Sequence, residues 1–189
     1  RQEKSLIESL DEHYIVCGFG RTGRHVASEF FAENIPFVII DDNIEEVEEI
    51  KQLGYTVILG DATLDESLIR ARIERANCLV TALPSDAQNL YTVLSAKTLN
   101  PRIRAIARAS NEEAVQKLQR AGADAVVSPY ITGGKRLAAA ALRPQVMDFV
   151  DGIIAGSNSS YYMEEFLIDS AACPYVGQTL KDARLRSQS

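Results

Sequence analysis

The chain is 189 residues long, with a formal net charge of -6, 46% hydrophobic and 24% charged residues, the balance of an ordinary globular protein and not of a disordered one. The acidic balance argues against nucleic acid as a partner, because phosphate contact needs a basic stripe, and Arg184-Leu185-Arg186 is too short to be one. No apolar run reaches bilayer-spanning length and Arg1-Gln2-Glu3-Lys4 lacks a signal-peptide pattern, so the residues predict a soluble unit whose ends read as cuts from a longer chain.

Residues 1–12, RQEKSLIESLDE, place Leu6, Ile7 and Leu10 on one helical face, as a frayed helix or the tail of a connector would. Short β-favouring apolar runs follow at 14–17, 37–40, 56–59, 78–81, 103–106 and 125–127. They are mostly continuous, the pattern of strands covered by helices on both faces. The helical segments between them open with capping pairs: Asn43 with Glu46, Thr63 with Glu66, Ser85 with Gln88 and Ser110 with Glu113. Gly54 and Gly122 stand where a helix stops on a left-handed residue. This repetition predicts an α/β fold, a Rossmann-like doubly wound parallel six-stranded sheet in the order 3-2-1-4-5-6.

After Pro129 the pattern changes. Thr132 to Leu142 reads as an alanine-rich helix that Pro144 interrupts or closes. Its small residues suit either a dimer contact or packing on the chain's own sheet. Gly156 to Ser160 reads as a linker, and Met163 to Ser170 alternates like a strand opening a second, truncated domain.

Three cysteines, Cys17, Cys78 and Cys173, are odd in number and far apart, which fits a reducing compartment and no disulfide framework. His13 and His25 lie near no cysteine cluster, so no metal site is expected. Neither histidine has a partner for triad chemistry, and no substrate domain follows, so no catalytic residue is assigned.

The chemistry gathers at Gly18-Phe19-Gly20-Arg21-Thr22-Gly23, a G-x-G-x-x-G between the first strand and a helical run. In that setting the glycines serve a tight turn, close approach to a pyrophosphate, and helix-on-strand packing. The helix N-terminus adds unpaired N–H groups and a positive dipole. The second strand ends in Asp41-Asp42. A carboxylate there takes ribose hydroxyls and repels a 2′-phosphate, which disfavours NADP. Asp41 is the ribose candidate, and Asp42 is expected to help cap the next helix. Arg21 reaches a di- or triphosphate, or else is a solvent-exposed arginine paired with an acid. Further loops at strand ends are Gly60-Asp61-Ala62-Thr63, Ala82-Leu83-Pro84-Ser85-Asp86 and Arg108. Thr63 and Ser85 are read chiefly as caps.

Taken in order, HYIVCGFGRTGRHVA, VIIDD, LGDAT, TALPSDAQN, IRAIARAS and RAGADAVVSPYITGGKRLA resemble the RCK domain (regulator of K+ conductance), also called KTN or TrkA-N, over about residues 13–143. The form resembled is the one fused behind potassium channel pores. The resemblance implies a linker from a pore helix at 1–12, a nucleotide-binding Rossmann domain at 13–130, crossover and dimerisation helices at 131–158, and the start of a C-terminal subdomain at 159–189. It implies a homodimer that assembles into a tetrameric or octameric gating ring at the cytoplasmic face of the membrane, below the pore domain. The ligand would be NAD or NADH, or alternatively ATP, ADP or AMP. By resemblance Gly18, Gly20, Arg21, Gly23, Asp41, Asp61, Ala62 and Thr63 line the pocket, with Phe19, Thr22 and Asp42 beside them and Ala82, Asp86, Asn89 and Arg108 carried over further. Calcium-gated members have two acids where this chain has Arg108 and Ser110, so a calcium site of that kind is not expected. The other readings are a cytosolic subunit of a potassium transporter and an NAD-dependent oxidoreductase fragment.

Overall fold

The apolar runs of the sequence become six parallel strands in the computed structural model, which describes residues 6–147 and Val150. The chain divides by compactness after Leu137, and the unit up to that point carries the sheet. In chain order its elements are β1 (Tyr14–Cys17), α1 (Arg21–Ala32), β2 (Phe37–Asp41), α2 (Ile44–Gln52), β3 (Val57–Leu59), α3 (Asp65–Arg70), a 3-10 turn (Ile73–Arg75), β4 (Cys78–Thr81), α4 (Asp86–Leu99), β5 (Arg104–Arg108), α5 (Glu112–Arg120), β6 (Ala125–Val127) and the start of α6 (Pro129–Leu142). The strand order is β3-β2-β1-β4-β5-β6, as the repetition predicts. No helix among the described residues is long and apolar enough to cross a membrane. The expected linker at 156–160, the strand at 163–170, Cys173 and the segment 159–189 lie outside the described residues.

Both faces of the central strands are buried, and this is why their sequences are continuously apolar. Ile15 and Cys17 pack with Val38, Ile40 and Leu79 on one face. Val16 packs with Ile39, Val57 and Phe19 on the other. Successive residues of a strand point to opposite faces, so one apolar run fills two layers. Each fully buried Ile or Leu removes enough apolar surface from water to stabilise the fold by about 1.5–3 kcal/mol.

Several boundaries move from the sequence reading. β2 runs on to Asp41, β3 starts at Val57 and not Thr56, and β5 covers Arg104–Arg108 and not 103–106. Ile103 is buried in the core just ahead of β5, which gives it a strand-like sequence environment without a ladder position. Of the expected caps, Asn43 behaves as predicted: its side-chain oxygen accepts the N–H groups of Glu45 at 2.8 Å and Glu46 at 3.3 Å. The others differ. Leu64 is the N-cap of α3, while Thr63 turns its hydroxyl to Asp61. Ser85 caps α4 by position, with no side-chain bond. α5 is capped by Asn111, whose side-chain oxygen accepts the Ala114 N–H at 2.9 Å. The Ser110 hydroxyl donates instead to Asp86. Gly54 and Gly122 end α2 and α5 as expected, and Asn34 does the same for α1 with φ of 56°.

Leu6 is exposed while Ile7 and Leu10 pack against the core, so the three do not share one buried face. The segment leading into β1 is held by the 71–77 turn. The Glu12 N–H donates to the Arg75 carbonyl at 3.0 Å, Asn77 Nδ2 donates to the Glu12 carbonyl at 3.2 Å, and the Arg72 guanidinium donates to the Glu8 carbonyl. His13 is fully buried, and its Nε2 donates to the Ala71 carbonyl at 2.7 Å. α6 starts three residues before the predicted helix, with Pro129 in its first turn, where a missing N–H costs nothing. No residue of α6 is buried, and Leu137 is 76% exposed.

Candidate functional site

Local backbone demands explain the glycine turn. Gly18 has φ of 91°, and a Cβ there would lie 3.1 Å from the Ala82 carbonyl oxygen. A Cβ on Gly23 would fall 1.9 Å from the Gly18 carbonyl oxygen, so α1 packs on the turn only because that atom is missing. Gly20 is different. Nothing lies within 4 Å of where its Cβ would be, and it is the N-cap of α1 with no side-chain cap. The first N–H groups of the 12-residue α1 therefore have no partner within the helix.

Above this turn lies a cleft of about 610 Å³ at the carboxyl ends of the strands. Gly18, Phe19, Gly20, Arg21 and Thr22 form its floor. Asp41, Asp42, Asn43 and Glu46 form the β2 side, and Ala82, Leu83, Pro84, Arg108, Pro129 and Tyr130 the β4 to β6 side. A larger cavity of about 850 Å³ sits at the β3 edge, lined by Ile7, Ile44, Val57 and Ile69 among others. It holds none of the site residues expected from the sequence, and ligands in open parallel sheets bind where strand order reverses, which here is between β1 and β4.

Asp41 joins strand to turn. Its Oδ2 accepts the Phe19 N–H at 2.7 Å and its Oδ1 the Asn43 N–H at 2.9 Å. Each carboxylate oxygen keeps a further lone pair. Asp42 lines the cleft and is exposed; the capping expected of it is done by Asn43. The Phe19 side chain is buried beneath the turn, with the Arg24 guanidinium 4.6 Å from its ring centre. Arg24 is held by Glu46 and Glu49. That hydrogen bond holds the Glu49 carboxyl below its usual range and raises Arg24. Arg24 is thus the acid-paired arginine of α1. Arg21 is exposed on the cleft with no salt bridge among the described residues.

Arg108 reaches the cleft from the end of β5. Its Nη1 donates to the Leu83 carbonyl at 3.2 Å, and its guanidinium carbon lies 5.8 Å from the Tyr130 ring centre. Its buried Nε has no hydrogen-bond partner.

The other expected residues stand behind the cleft or beside it. Gly23 is buried under the turn. Asp61 accepts the N–H of Thr63 at 2.8 Å and its hydroxyl at 2.7 Å, and Ala62 is buried. These three do not line the cleft. Asp86 accepts the Ser110 N–H at 2.9 Å and the Ser110 hydroxyl. Asn89, 1% exposed, accepts from Thr81 Oγ1 and the Leu83 N–H and donates to the carbonyls of Leu83 and Arg108. All four of its hydrogen-bonding places are filled, so it fastens the loop after β4 to the end of β5. The sequence reading named the loop that holds Leu83 and Pro84 but missed Asn43, Glu46, Pro129 and Tyr130 as cleft residues. Pro129 and Tyr130 follow β6, and counting the end of the sixth strand among the ligand loops would have found them.

A parallel sheet in this order, with a glycine turn leading from β1 into a helix, defines a Rossmann-type α/β domain. The TrkA-N domain model matches residues 14–129, and the chain belongs to the TrkA-N family. It is 38% identical to the probable potassium channel protein 2 of Methanocaldococcus jannaschii over 196 aligned positions, covering 100% of this chain and 57% of that one. Among solved structures it is similar to the GsuK channel bound to NAD, with 32% identity and a TM-score of 0.64 over 75% of this chain and 25% of that one. It is also similar to GsuK bound to ADP, with 30% identity and a TM-score of 0.63 over 76% of this chain and 38% of that one. The chain thus spans little more than half the length of the channel protein it matches.

Proposed function

We propose that this chain is the ligand-sensing domain of a potassium channel, and that an adenine nucleotide in the cleft biases the pore. The observation that carries this reading is the polarity of the cleft. Asp41, Asp42 and Glu46 make one side acidic, while Arg21 on the glycine turn and Arg108 beyond it supply two cations. A nucleotide has the matching polarity: ribose hydroxyls that donate, then phosphates that accept. The residues fit such a ligand. The space at Gly20 admits close approach of a pyrophosphate, the lone pairs left on Asp41 suit hydroxyl donors, and the unpartnered Nε of Arg108 lacks an acceptor. NAD, NADH, ADP, ATP and AMP all have these parts, and GsuK structures with NAD and with ADP support the class.

Regulation requires that the ligand bind one state of the assembly better than another. The absence of any buried residue in α6, with Leu137 and Leu142 exposed among alanines, supports pairing of two copies within a gating ring. The bonds from Glu8, Glu12 and His13 to the 71–77 turn fix the stretch that enters β1, and they support its reading as part of a link toward an upstream pore at the cytoplasmic face of the membrane. The reading is of a sensor and not an enzyme, in keeping with the channel relative.

Calorimetric titration with NAD+, NADH, ATP, ADP and AMP tests the site. Saturable binding by one of them, weakened in Arg21→Ala, is expected. A folded protein that binds none would refute the nucleotide reading. Patch recordings of the full-length channel with the bound nucleotide test the coupling to the pore.

A further inference from the structure

The cavity of about 850 Å³ at the β3 edge shares no residue with the nucleotide cleft. Its wall is aliphatic: Ile7 from the stretch before β1, Ile44 and Val47 from α2, Val57 and Leu59 from β3, and Ile69 from α3. Ile44, Leu59 and Ile69 are 63%, 46% and 54% exposed, so three large apolar side chains open onto one hollow. Among the described residues no aromatic ring, hydroxyl or amide side chain lines it. Such a wall gives a planar, polar ligand nothing to stack on or bond to, and it suits a flexible aliphatic chain. The volume is that of a small-molecule pocket.

The polar lining is charged and mostly spent. Lys51 pairs with Glu48 at 3.7 Å and Arg72 with Glu74 at 3.6 Å. Arg70 has no salt bridge among the described residues, and its Nη1 donates to the neutral Leu59 carbonyl at 3.2 Å. β3 is an edge strand. The Thr56 carbonyl and the Gly60 N–H are bonded to β2, and the register sets Ile58 against Ile40 of β2. Alternate residues of a parallel strand turn both backbone groups to the same side, so the N–H groups of Val57 and Leu59 face the open edge. A guanidinium and two backbone donors thus stand beside the aliphatic wall without an anion. Against them is Glu8, the one lining carboxylate outside a salt bridge among the described residues.

We propose that this hollow is a second ligand site, for a free long-chain carboxylate. The tail lies on the aliphatic side chains of α2, β3 and α3, and the head meets Arg70 and the β3 edge. The site does not depend on the nucleotide reading of the cleft. Its ligand touches Ile7, in the stretch that Arg72 ties down through the Glu8 carbonyl, so occupancy firms the entry into β1.

The test is calorimetric titration of the 189-residue chain with octanoate, decanoate and dodecanoate below their micelle concentrations. Wild type is compared with Arg70→Gln and Ile69→Glu, with circular dichroism to establish folding; both residues are exposed, so the variants should fold. Saturable binding is expected, about tenfold tighter for each two-carbon step. Arg70→Gln should weaken dodecanoate about tenfold and leave the chain-length steps unchanged, and Ile69→Glu should abolish binding. No saturable binding by folded wild type overturns the proposal. So does equal binding by wild type and either variant, or binding of dodecyltrimethylammonium as tight as that of dodecanoate. Dimerisation in sedimentation that Ile69→Glu abolishes, with no dodecanoate bound by wild type, would give the hollow to a second copy and also overturn it. Titration of the same proteins with ADP reads the cleft separately, so either site can fail while the other stands.

Discussion

The Asp41 carboxylate accepts the backbone N–H of Phe19 at 2.7 Å, across 22 positions of sequence. The last residue of β2 thereby fixes the middle of the glycine turn. A charged acceptor on a buried N–H is worth more than a neutral pair. Asp41→Ala removes this bond and the one to Asn43, and should lower stability by about 3 kcal/mol. Asp41→Asn keeps an acceptor and should lose less than half of that. Urea denaturation of the three proteins checks the order, and nucleotide titration of the folded ones should show at least tenfold weaker binding in both variants by about the loss of a charged hydrogen bond.

Gly20 and Gly23, three positions apart, should respond differently to the same methyl group. Gly23→Ala would place a carbon 1.9 Å from the Gly18 carbonyl oxygen. Displacing α1 to relieve it should cost at least about 3 kcal/mol. Gly20→Ala meets nothing within 4 Å, so its thermal midpoint should stay within the error of wild type. The same methyl group should nonetheless weaken nucleotide binding, because it occupies the floor of the cleft. Equal destabilisation by the two substitutions would refute this account of the turn.

Asn89 is expected to be a stability residue with an indirect effect on the cleft. Asn89→Ala strands the carbonyls of Leu83 and Arg108 and the N–H of Leu83, at a cost of about 3 kcal/mol. Hydrogen exchange should report faster opening of the loops after β4 and β5, with β2 and β3 little changed.

Acid should weaken the fold through His13 before the carboxylates titrate. Burial lowers the pKa of His13, and its bond to the Ala71 carbonyl opposes this; among neighbouring charges Arg72 lowers it, and Glu74 and Asp11 raise it. Nε2 is the donor to that carbonyl, so a second proton would go to Nδ1, which is buried without a partner. The unfolded chain then binds the proton more readily than the folded one. Stability is complete above the unfolded histidine value, about 6.5, and declines as pH falls below it. For Asp124, burial raises the pKa but the Lys97 ammonium, the Ala105 N–H and Arg104 together outweigh it, giving a net lowering. Its contribution is present above about pH 4 and lost below. Between pH 7.5 and 5.5 the urea midpoint of wild type should therefore fall, about 6.5 being the pivot, while that of His13→Gln should stay nearly flat.

Much of this molecule is legible in its residues because the strands have covered faces. Ile15-Val16-Cys17 and Val38-Ile39-Ile40 are apolar at every position, and only a sheet clad on both sides needs that. The glycine turn and Asp41 are legible because backbone geometry and charge restrict each position to few residue types. The caps were not. Ser110 and Thr63 have the right residue type for capping, but their hydroxyls go to Asp86, 24 positions away, and to Asp61. A local pattern cannot register a competitor that the fold delivers from elsewhere. The role of Asn89 is hidden for the same reason, since its partners belong to β4, the loop after it and the end of β5. Ile103 misled the placement of β5 because burial, and not pairing, dictates its side chain.

The four residues of β1 have the cleft at one end and the bonded segment before His13 at the other. At about 3.3 Å per residue the strand separates them by about 13 Å, and it is paired on both sides, to β2 and β4. Such a strand does not stretch or fold when a ligand arrives. The glycine turn and the opposite rim are therefore held at a fixed separation, with β1 acting as the axle and not as a wire.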